Sequence, residues 1–307
     1  MQPPHQDNIC VAAVIIAFQP DKAVLGQLMA SILPQVQRLI IINNGNPEDI
    51  EPPHAPDKTQ VISFGLNLGI GEAIACAVTE AKVKGCNFLL TLDQDSIPAP
   101  DMVEKLIKGY QRLSLQGRPV GGVGPQHIDR RSGYPSPFTA PIDKRSWLRN
   151  KIKPEPNQCV AVDHLITSGL LAPMSTYDAV GLPRADLFVD YVDIEWCLRA
   201  RYHGFNLYGV GGAFLYHSIG DSYIQFRGRQ LPVHSPLRNY YLLRNGVYLQ
   251  RLSYIPLIWR LSDAWQLVKK FVFFLIFLDQ RRTRLQMMLA GIRDGLQRRL
   301  GRYDENR

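Results

Sequence analysis

The sequence predicts an α/β protein with a mostly parallel central sheet. Over the first 125 residues, apolar strand-like runs alternate with helix-like segments, and this alternation is typical of right-handed βαβ units. Two polar turns, Asn43-Asn44-Gly45 and Asp93-Gln94-Asp95, each follow a strand-like run. Because the carboxyl ends of parallel strands share one edge of a sheet, we expect both turns to line one cleft.

The elements of the first half follow from composition and turn signals. The predicted strands are Val11–Phe18, Leu39–Ile42, Gln60–Phe64 and Asn87–Leu92. The first is a continuous apolar run, as expected for a strand that is buried on both faces. The predicted helices are Ala23–Val36, capped by Asp21, a segment from the Asn67–Gly71 turn to about Lys84, and Pro100–Ser114.

The second half is less regular. Residues 125–157 are rich in Pro, Ser and Arg and are predicted to form a long loop, which is more often functional than idle. Strand-like composition returns at Val160–Leu171 and at Asn206–Tyr216. A helix is predicted from about Asp193 to His203, and the pattern from Ser235 onward is helical with a break at Pro256.

The net charge of +8 is concentrated near the C-terminus. From Trp259 to the end, eleven basic and five acidic residues carry +6, so the chain lacks the basic face throughout that a nucleic-acid-binding domain needs. Five scattered cysteines without a CxxC pair indicate thiols in a reducing compartment. The start is polar and Pro-rich, and the longest apolar run, Phe271–Leu278, is too short to span a bilayer. We therefore expect a cytoplasmic location.

Asp93 and Asp95 form the first candidate site. Two carboxylates at a strand end can hold one Mg²⁺ or Mn²⁺ ion together with its bound phosphates, because these ions prefer oxygen ligands. The alternative is an ordinary turn or a capping aspartate. His217 follows the strand-like run Asn206–Tyr216, which makes it a candidate third ligand, although a lone histidine more often has a structural role.

The segment Asp190–Arg199 contains the second candidate site. Asp193 stands at a predicted helix N-terminus, where it can point into the cleft as a general base. The alternative, which the segment taken in isolation favours, is a capped helix whose Glu195 and Arg199 form a surface i,i+4 ion pair.

Taken in order, these motifs resemble glycosyltransferase family 2, which has the GT-A nucleotide-sugar-binding fold. The resemblance covers about residues 9–250 and rests on FGLNLGIGEA, LTLDQDS, FVDYVDIEWCLRARYHGF, LYHSIGD and YYLLRNG. Within the family, these segments are most similar to bacterial rhamnosyltransferases. The resemblance implies inverting transfer of a sugar from a nucleotide diphosphate, with dTDP-L-rhamnose as the expected donor. It also implies that Asp93 and Asp95, with His217, hold the divalent cation.

The resemblance assigns Asp193 as the base that deprotonates the acceptor hydroxyl. Val192 stands where the family has Glu, so Asp190 remains a rival. The residues expected to bind the donor are Ala17, Phe18, Asn43, Asn44, Asn67, Gly69, Asp93, Gln94 and Arg244. Asn43 replaces a family Asp, but its carbonyl can still accept the N3–H of uracil or thymine.

Two of these assignments have structural alternatives. Gly69 and Gly71 can allow the backbone to approach the nucleotide closely, or they can serve a tight strand-to-helix turn. Arg244, with Asn245, is expected to approach the donor phosphates or to order the cleft, and a solvated helix face is the competing interpretation.

Residues 251–307 are predicted to be a basic, amphipathic helical extension of a catalytic domain at residues 1–250. Trp259, Trp265 and the Phe271–Leu278 run lie among basic residues, a composition typical of a helix on an anionic membrane leaflet, where each basic residue contributes about 1 kcal/mol. Packing on the catalytic domain or in a homodimer is the alternative. A membrane position at the inner face of the cell would suit a glycan or lipid-linked acceptor.

Other functions fit parts of the pattern. The same fold can use a UDP-hexose donor, and a nucleotide-sugar-binding protein without catalysis would also share it. A dinucleotide-dependent oxidoreductase is disfavoured because Phe18-Gln-Pro-Asp, and not GxGxxG, follows the first strand.

Overall fold

A computed structural model gives the structure of residues 9–50, 55–129, 133–142, 149–217, 222–226 and 229–304. For residues 217, 222–226 and 229–232 this description covers the backbone alone.

The strands and helices alternate along the first half of the chain, and helices dominate its end. The strands are β1 (Val11–Ala17), β2 (Arg38–Asn43), β3 (Thr59–Ser63), β4 (Phe88–Asp93), β5 (Ile97–Pro98), β6 (Val120–Asp129), β7 (Phe138–Thr139), β8 (Lys151–Ile152), β9 (Cys159–Val162), β10 (Leu171–Pro173), β11 (Asn206–His217), β12 (Ser222–Phe226) and β13 (Arg229–Val233). The helices are α1 (Lys22–Ile32), α2 (Ile70–Val83), α3 (Met102–Leu115), α4 (Met174–Val180), α5 (Val192–Tyr202), α6 (Pro236–Leu249), α7 (Leu257–Phe277) and α8 (Arg281–Gln297).

The central sheet has the order β3-β2-β1-β4-β10-β6-β11-β5, and β9 pairs with β11. Its first four strands are parallel, as the sequence predicts. In the other half, β6 and β11 are parallel, whereas β10, β5 and β9 run antiparallel to their neighbours. The register pairs Ala17 with Asn43 and Ile16 with Asp93, so the two predicted polar turns do end at the same edge of the sheet.

Alternate residues of β1 face two different cores. Val11, Ala13 and Ile15 pack with α1 and α3, whereas Ala12 and Val14 pack with α2, α4 and α5 on the other face. All of these side chains are buried, which explains why the strand reads as a continuous apolar run without alternation.

Strand β6 is the main element that the sequence did not predict. The predicted loop at residues 125–157 was wrong for its first five residues, because they belong to β6. The strand is rich in glycine, which is depleted in strands and hides the pattern. Glycine allows close packing here, since a Cβ on Gly122 would lie 2.9 Å from the end of the Leu170 side chain and one on Gly124 would lie 2.7 Å from the end of the Leu165 side chain. The predicted strand Val160–Leu171 is likewise divided into β9 and β10.

The three C-terminal helices pack on the end of the α/β unit. A third core joins Leu187 and Val192 to residues of α6, α7 and α8. Helix α8 lies very close to α6, since a Cβ on Gly291 would be 2.4 Å from the carbonyl oxygen of Tyr240. No helix in the described part of the chain is long and apolar enough to cross a bilayer.

Candidate active site

Hydrogen bonds join the ends of β1 and β4 at the cleft edge. The Gln94 carboxamide bridges the Phe18 backbone, since its Oε1 accepts from the Phe18 N–H at 2.7 Å and its Nε2 donates to the Phe18 carbonyl at 3.2 Å. The Ser168 hydroxyl accepts from the Asp93 N–H at 3.1 Å and lies 2.6 Å from the Ser96 hydroxyl. Both contacts hold the backbone of the turn, so the Asp93 and Asp95 carboxylates project from a fixed position.

The turn before α2 is tied to the turn after β2. Asn44 accepts from the Leu68 N–H and donates to the Gly69 carbonyl, both at 3.3 Å, and Asn67 accepts from the Gly69 N–H at 2.9 Å. Gly69 has φ +89°, and a Cβ there would lie 2.5 Å from the Phe188 carbonyl oxygen. Glycine is therefore needed at this position for the turn and for the close approach of the segment around Phe188.

The cleft consists of three cavities that share walls. A cavity of about 970 Å³ lies beyond the ends of β1 and β2, and Phe18, Asn44, Asn67 and Tyr241 separate it from a second cavity of about 580 Å³. The second contains Asp93, Gln94, Asp95 and Gly69. The third, of about 570 Å³, contains Asp193 and shares Asp93 with the second. We call these the outer, middle and inner cavities.

Asn43 lies beneath the outer cavity and does not line it. Its side chain is fully buried, with the amide donating to the Asn46 carbonyl at 2.7 Å and the Oδ1 accepting from the Gly45 N–H at 2.9 Å. Asp49 does line this cavity and accepts from the Asn46 N–H at 3.1 Å. Ala17 is also fully buried, so Phe18 presents the end of β1 to the cleft.

Asp193 is the second residue of α5 and lines the inner cavity. Its carboxylate accepts from the backbone N–H of Thr167 at 3.0 Å and of Ile194 at 2.8 Å. Burial raises the pKa of Asp193, and the two backbone N–H groups and the nearby His164 only partly oppose this shift. A carboxylate with a raised pKa at a helix start can accept a proton from a bound hydroxyl.

Ion pairs surround Asp193 in the inner cavity. Asp190, the rival candidate base, accepts from the Arg238 guanidinium at 2.8 Å. Asp263 of α7 accepts from Arg149 at 2.9 Å and from the Tyr191 hydroxyl at 3.0 Å. Because these two carboxylates already have cationic partners, Asp193 is better placed than Asp190 to act on a ligand.

The segment before α5 has an unusual backbone. Phe188, Asp190 and Tyr191 have φ values of 65°, 58° and 64°, a region that residues with a side chain rarely adopt. The Asn245 amide nitrogen lies within 2.9 Å of the carbonyl oxygens of Leu187, Val189 and Asp190. Asn245 therefore stabilises the strained segment that delivers Asp193 to the cleft.

Arg244 does not line any of the three cavities. Its side chain is fully buried, so the interpretation that places Arg244 on a solvated helix face was wrong. Its guanidinium lies 4.8 Å from the Tyr241 ring and donates to the carbonyls of Leu187 and Gly301. Burial lowers the pKa of Arg244. These contacts correspond to the expected alternative in which Arg244 orders the cleft.

Glu195 and Arg199 of α5 form the expected ion pair, but the prediction that this pair lies on the surface was wrong. Glu195 is fully buried, because it faces away from the cleft toward the segment before α7. It accepts from Arg199 at 2.8 Å and from the Tyr254 hydroxyl. The pair therefore holds α5 in the core and takes no part in the cleft.

The predicted metal ligands are only partly described. Asp93 and Asp95 share the middle cavity, and both have hydrogen-bond or electrostatic partners. The His217 backbone ends β11 opposite Asp129, but its side chain lies outside the described residues. Within the described part of the chain, no group of three His, Cys, Asp or Glu side chains is arranged to hold a metal ion. The carboxylate oxygens of Asp93 and Asp95 are of the ligand type that Mg²⁺ and Mn²⁺ prefer.

Several residues of the cleft carried no sequence signal of their own. His164, Lys151 and Lys270 line the inner cavity, and Arg302 and Tyr303 line the outer one. They come from segments that are far apart in the chain, so only the tertiary fold brings them to the cleft.

Comparisons with known proteins agree with this architecture. A family model described as "Glycosyl transferase family 2" matches residues 13–166. The dTDP-rhamnosyl transferase RfbF of Shigella flexneri is 28% identical over 259 residues, which are 84% of this chain and 85% of that protein.

Solved structures with 12% sequence identity share the fold. Residues 1–349 of TarS from S. aureus align with a TM-score of 0.57 over 94% of this chain and 81% of that one. GalNAc-T7, crystallised with UDP, GalNAc and Mn²⁺, aligns with a TM-score of 0.53 over 95% of this chain. The chain spans 57% of the length of GalNAc-T7.

Proposed function

The chain belongs to glycosyl transferase family 2, and we propose that it transfers L-rhamnose from dTDP-L-rhamnose to a hydroxyl of a glycan or lipid-linked acceptor. The transfer would invert the anomeric centre and depend on a divalent cation. One observation carries the proposal: Asp93, of the strand-end carboxylate turn, lies between the middle cavity and the inner cavity that contains Asp193. Donor and acceptor can therefore meet at the wall between two cavities.

The donor would occupy the outer and middle cavities. Phe18 and Tyr241 offer aromatic surfaces to the nucleoside, and Asn44, Asn46 and Asp49 offer polar groups for the base and ribose. The diphosphate would then extend from the outer cavity, past Phe18 and Tyr241, into the middle cavity beside the carboxylate turn. The choice of dTDP-L-rhamnose rests on the likeness to dTDP-rhamnosyl transferase RfbF.

Asp93 and Asp95 would hold the divalent cation, together with oxygen atoms of the donor. The charge of the departing diphosphate would be neutralised by this cation. The Ser168 hydroxyl and the Gln94 carboxamide fix the backbone of the turn, which positions both carboxylates before the donor binds.

Asp193 would accept the proton of the acceptor hydroxyl as that oxygen attacks the anomeric carbon. Its carboxylate is fixed by two backbone N–H groups, and burial raises its pKa toward that of an effective base. It enters the cleft from α5 and the metal carboxylates enter from β4. Base and leaving group can thus lie on opposite sides of the sugar, as inversion requires.

Donor binding is the first test. Calorimetric titrations with dTDP-L-rhamnose, UDP-glucose and UDP-galactose would each be run with Mn²⁺ and with EDTA. We expect binding that is selective for dTDP-L-rhamnose and lost in EDTA. Selective binding of a UDP-sugar would keep the mechanism but overturn the donor, and binding unaffected by EDTA would contradict the metal site.

Turnover of Asp193→Asn separates a transferase from a binding protein. Removal of a general base lowers the rate by about 10²–10⁴-fold, and the donor affinity should stay within about twofold because Asp193 lies in the acceptor cavity. Asp190→Asn is the comparison variant, since Asp190 is the rival base and is paired with Arg238. Greater loss of turnover in Asp190→Asn than in Asp193→Asn would reverse the assignment.

Helix α7 supports a position at the inner face of the cell membrane. Its exposed large apolar residues recur every three or four positions and form one stripe: Leu257, Leu261, Trp265, Val268, Val272 and Ile276. Lys269 flanks the stripe, and Arg281 and Arg282 follow the helix. An apolar stripe beside cations fits the interface of an anionic bilayer, whereas two basic surfaces would repel each other across a dimer interface.

Flotation with phosphatidylglycerol vesicles tests this position. The wild-type chain should float with the vesicles at low salt, and Leu261→Glu should reduce flotation several-fold. Val83→Glu is the control, because Val83 is also apolar and exposed but lies on α2. Failure of the wild-type chain to float, together with a dimer in light scattering, would favour the alternative of a homodimer.

A further inference from the structure

The C-terminal strap, residues 298–304, turns back after α8 toward the cleft. Arg298 and Gly301 have φ values of 59° and 89°, and these left-handed residues reverse the direction of the chain. The strap therefore returns to the donor side of the molecule instead of continuing the helical extension.

The strap is anchored by hydrogen bonds to the segments that build the cleft. The Gly301 N–H donates to the Asp186 carbonyl at 2.6 Å, and the Gly301 carbonyl accepts from the buried Arg244. The Tyr303 N–H donates to the Tyr241 hydroxyl at 2.7 Å. Arg244 also holds the segment before α5, so one buried side chain connects the strap to the segment that delivers the candidate base.

The Tyr303 ring is fixed by an aromatic contact. Its centroid lies 4.6 Å from that of Tyr240 with an interplanar angle of 63°. Tyr240 is buried on α6, and its neighbour Tyr241 stacks on Phe188 at 5.0 Å. The strap is therefore held at two points: Gly301 bonds to the segment before α5 and to Arg244, and Tyr303 contacts α6.

Arg302 and Tyr303 line the outer cavity together with residues that follow the ends of β1 and β2. The Arg302 side chain is exposed. Burial raises the pKa of Tyr241, and the Tyr303 N–H and the charges of Arg244 and Arg302 partly oppose this shift. The wall thus offers an aromatic ring and an exposed guanidinium.

We propose that the C-terminal strap is part of the donor site, where Tyr303 packs against the nucleoside and the Arg302 guanidinium binds the diphosphate. This inference rests on the proposed donor function and adds to it a wall that no strand-end motif supplies. A planar guanidinium suits phosphate oxygens because it can donate two parallel hydrogen bonds.

The test measures binding of dTDP, in the presence of Mn²⁺, to the full chain and three variants. Arg302→Ala should weaken binding about tenfold or more, as expected for a lost hydrogen bond between charged groups. Arg302→Lys should retain part of the affinity through its charge. Arg299→Ala is the matched control, since Arg299 is an exposed strap arginine that lines none of the three cavities, and it should bind dTDP as the wild type does.

A second variant removes the wall itself. A chain that ends at Gly301 keeps the Gly301 hydrogen bonds but loses Arg302 and Tyr303, and it should bind dTDP more weakly than Arg302→Ala. Thermal melting would verify that it remains folded. Wild-type affinity in Arg302→Ala and in the shortened chain would overturn the strap's role and leave the proposed function intact. A wild-type chain that does not bind dTDP would overturn both.

Discussion

Gly291→Ala tests whether the close contact between α8 and α6 is required. A Cβ at residue 291 would lie 2.4 Å from the Tyr240 carbonyl oxygen and 3.2 Å from the Arg244 nitrogen. Real Cβ contacts start near 3.0 Å, so the helices would have to separate by about 0.6 Å. The contacted atoms belong to the backbone of α6, so a side-chain rotation cannot relieve the contact. Overpacking of this kind lowers the free energy of unfolding by about 1–3 kcal/mol. The better helix propensity of alanine offsets about 1 kcal/mol of this, so the net loss is up to about 2 kcal/mol.

Gly26→Ala is the matched control for this change. Gly26 is an exposed residue in the middle of α1, and no atom lies within 4 Å of a Cβ built there. The substitution should stabilise the fold by about 0.5–1 kcal/mol. We therefore expect Gly291→Ala to melt below the wild type and Gly26→Ala to melt at or above it. A Gly291→Ala chain that melts as high as Gly26→Ala would refute the close packing of the C-terminal helices.

Three further predictions follow from buried polar groups. Burial raises the pKa of Asp193, so kcat should fall as the pH drops through a value above the ordinary 3.8, and a pH–rate profile would show this acid limb. Burial opposes ionisation of Asp163, but His164 and Trp259 lower its pKa below 3.8. The ionised Asp163 therefore stabilises the fold fully at pH values above 3.8, and this stabilisation is lost as the pH falls through the lower pKa of the folded state. In denaturant titrations at neutral pH, Asp163→Asn should lower the free energy of unfolding by about 3–5 kcal/mol. Asn245→Ala should lower both the melting temperature and kcat/KM, because it leaves carbonyls of a strained segment without donors.

The elements that the sequence predicted correctly are those whose residue pattern matches their burial in the fold. Continuous apolar runs predicted β1, β2 and β4 within one or two residues, because these strands are buried on both faces. Asp21 caps α1 through its side chain, as predicted. Strand β6 was missed because its glycines, which allow close packing against Leu165 and Leu170, are more typical of turns than of strands.

The residues of the candidate site also fall into two groups, those that the sequence identified and those that it did not. Asp93, Asp95 and Asp193 could be found because each stands at the end of a strand or the start of a helix, where the cleft of such a sheet lies. The strap residues could not be found, since their role depends on a chain reversal after α8 and on a buried arginine. A run such as YYLLRNG does not show whether its arginine faces solvent, ligand or core; the packing of α8 on α6 decides that it faces the core.

Helix α7 connects the candidate site to the candidate membrane surface. Asp263, Gln266 and Lys270 line the inner cavity, whereas the apolar stripe that begins at Leu257 is exposed. At 100° per residue these two sets lie on opposite sides of the helix. If the stripe lies on a bilayer as proposed, one helix diameter, about 10–12 Å, would separate the bilayer surface from the cavity of Asp193. A soluble acceptor would gain nothing from this arrangement, but an acceptor attached to a lipid would be held at the height of the candidate base.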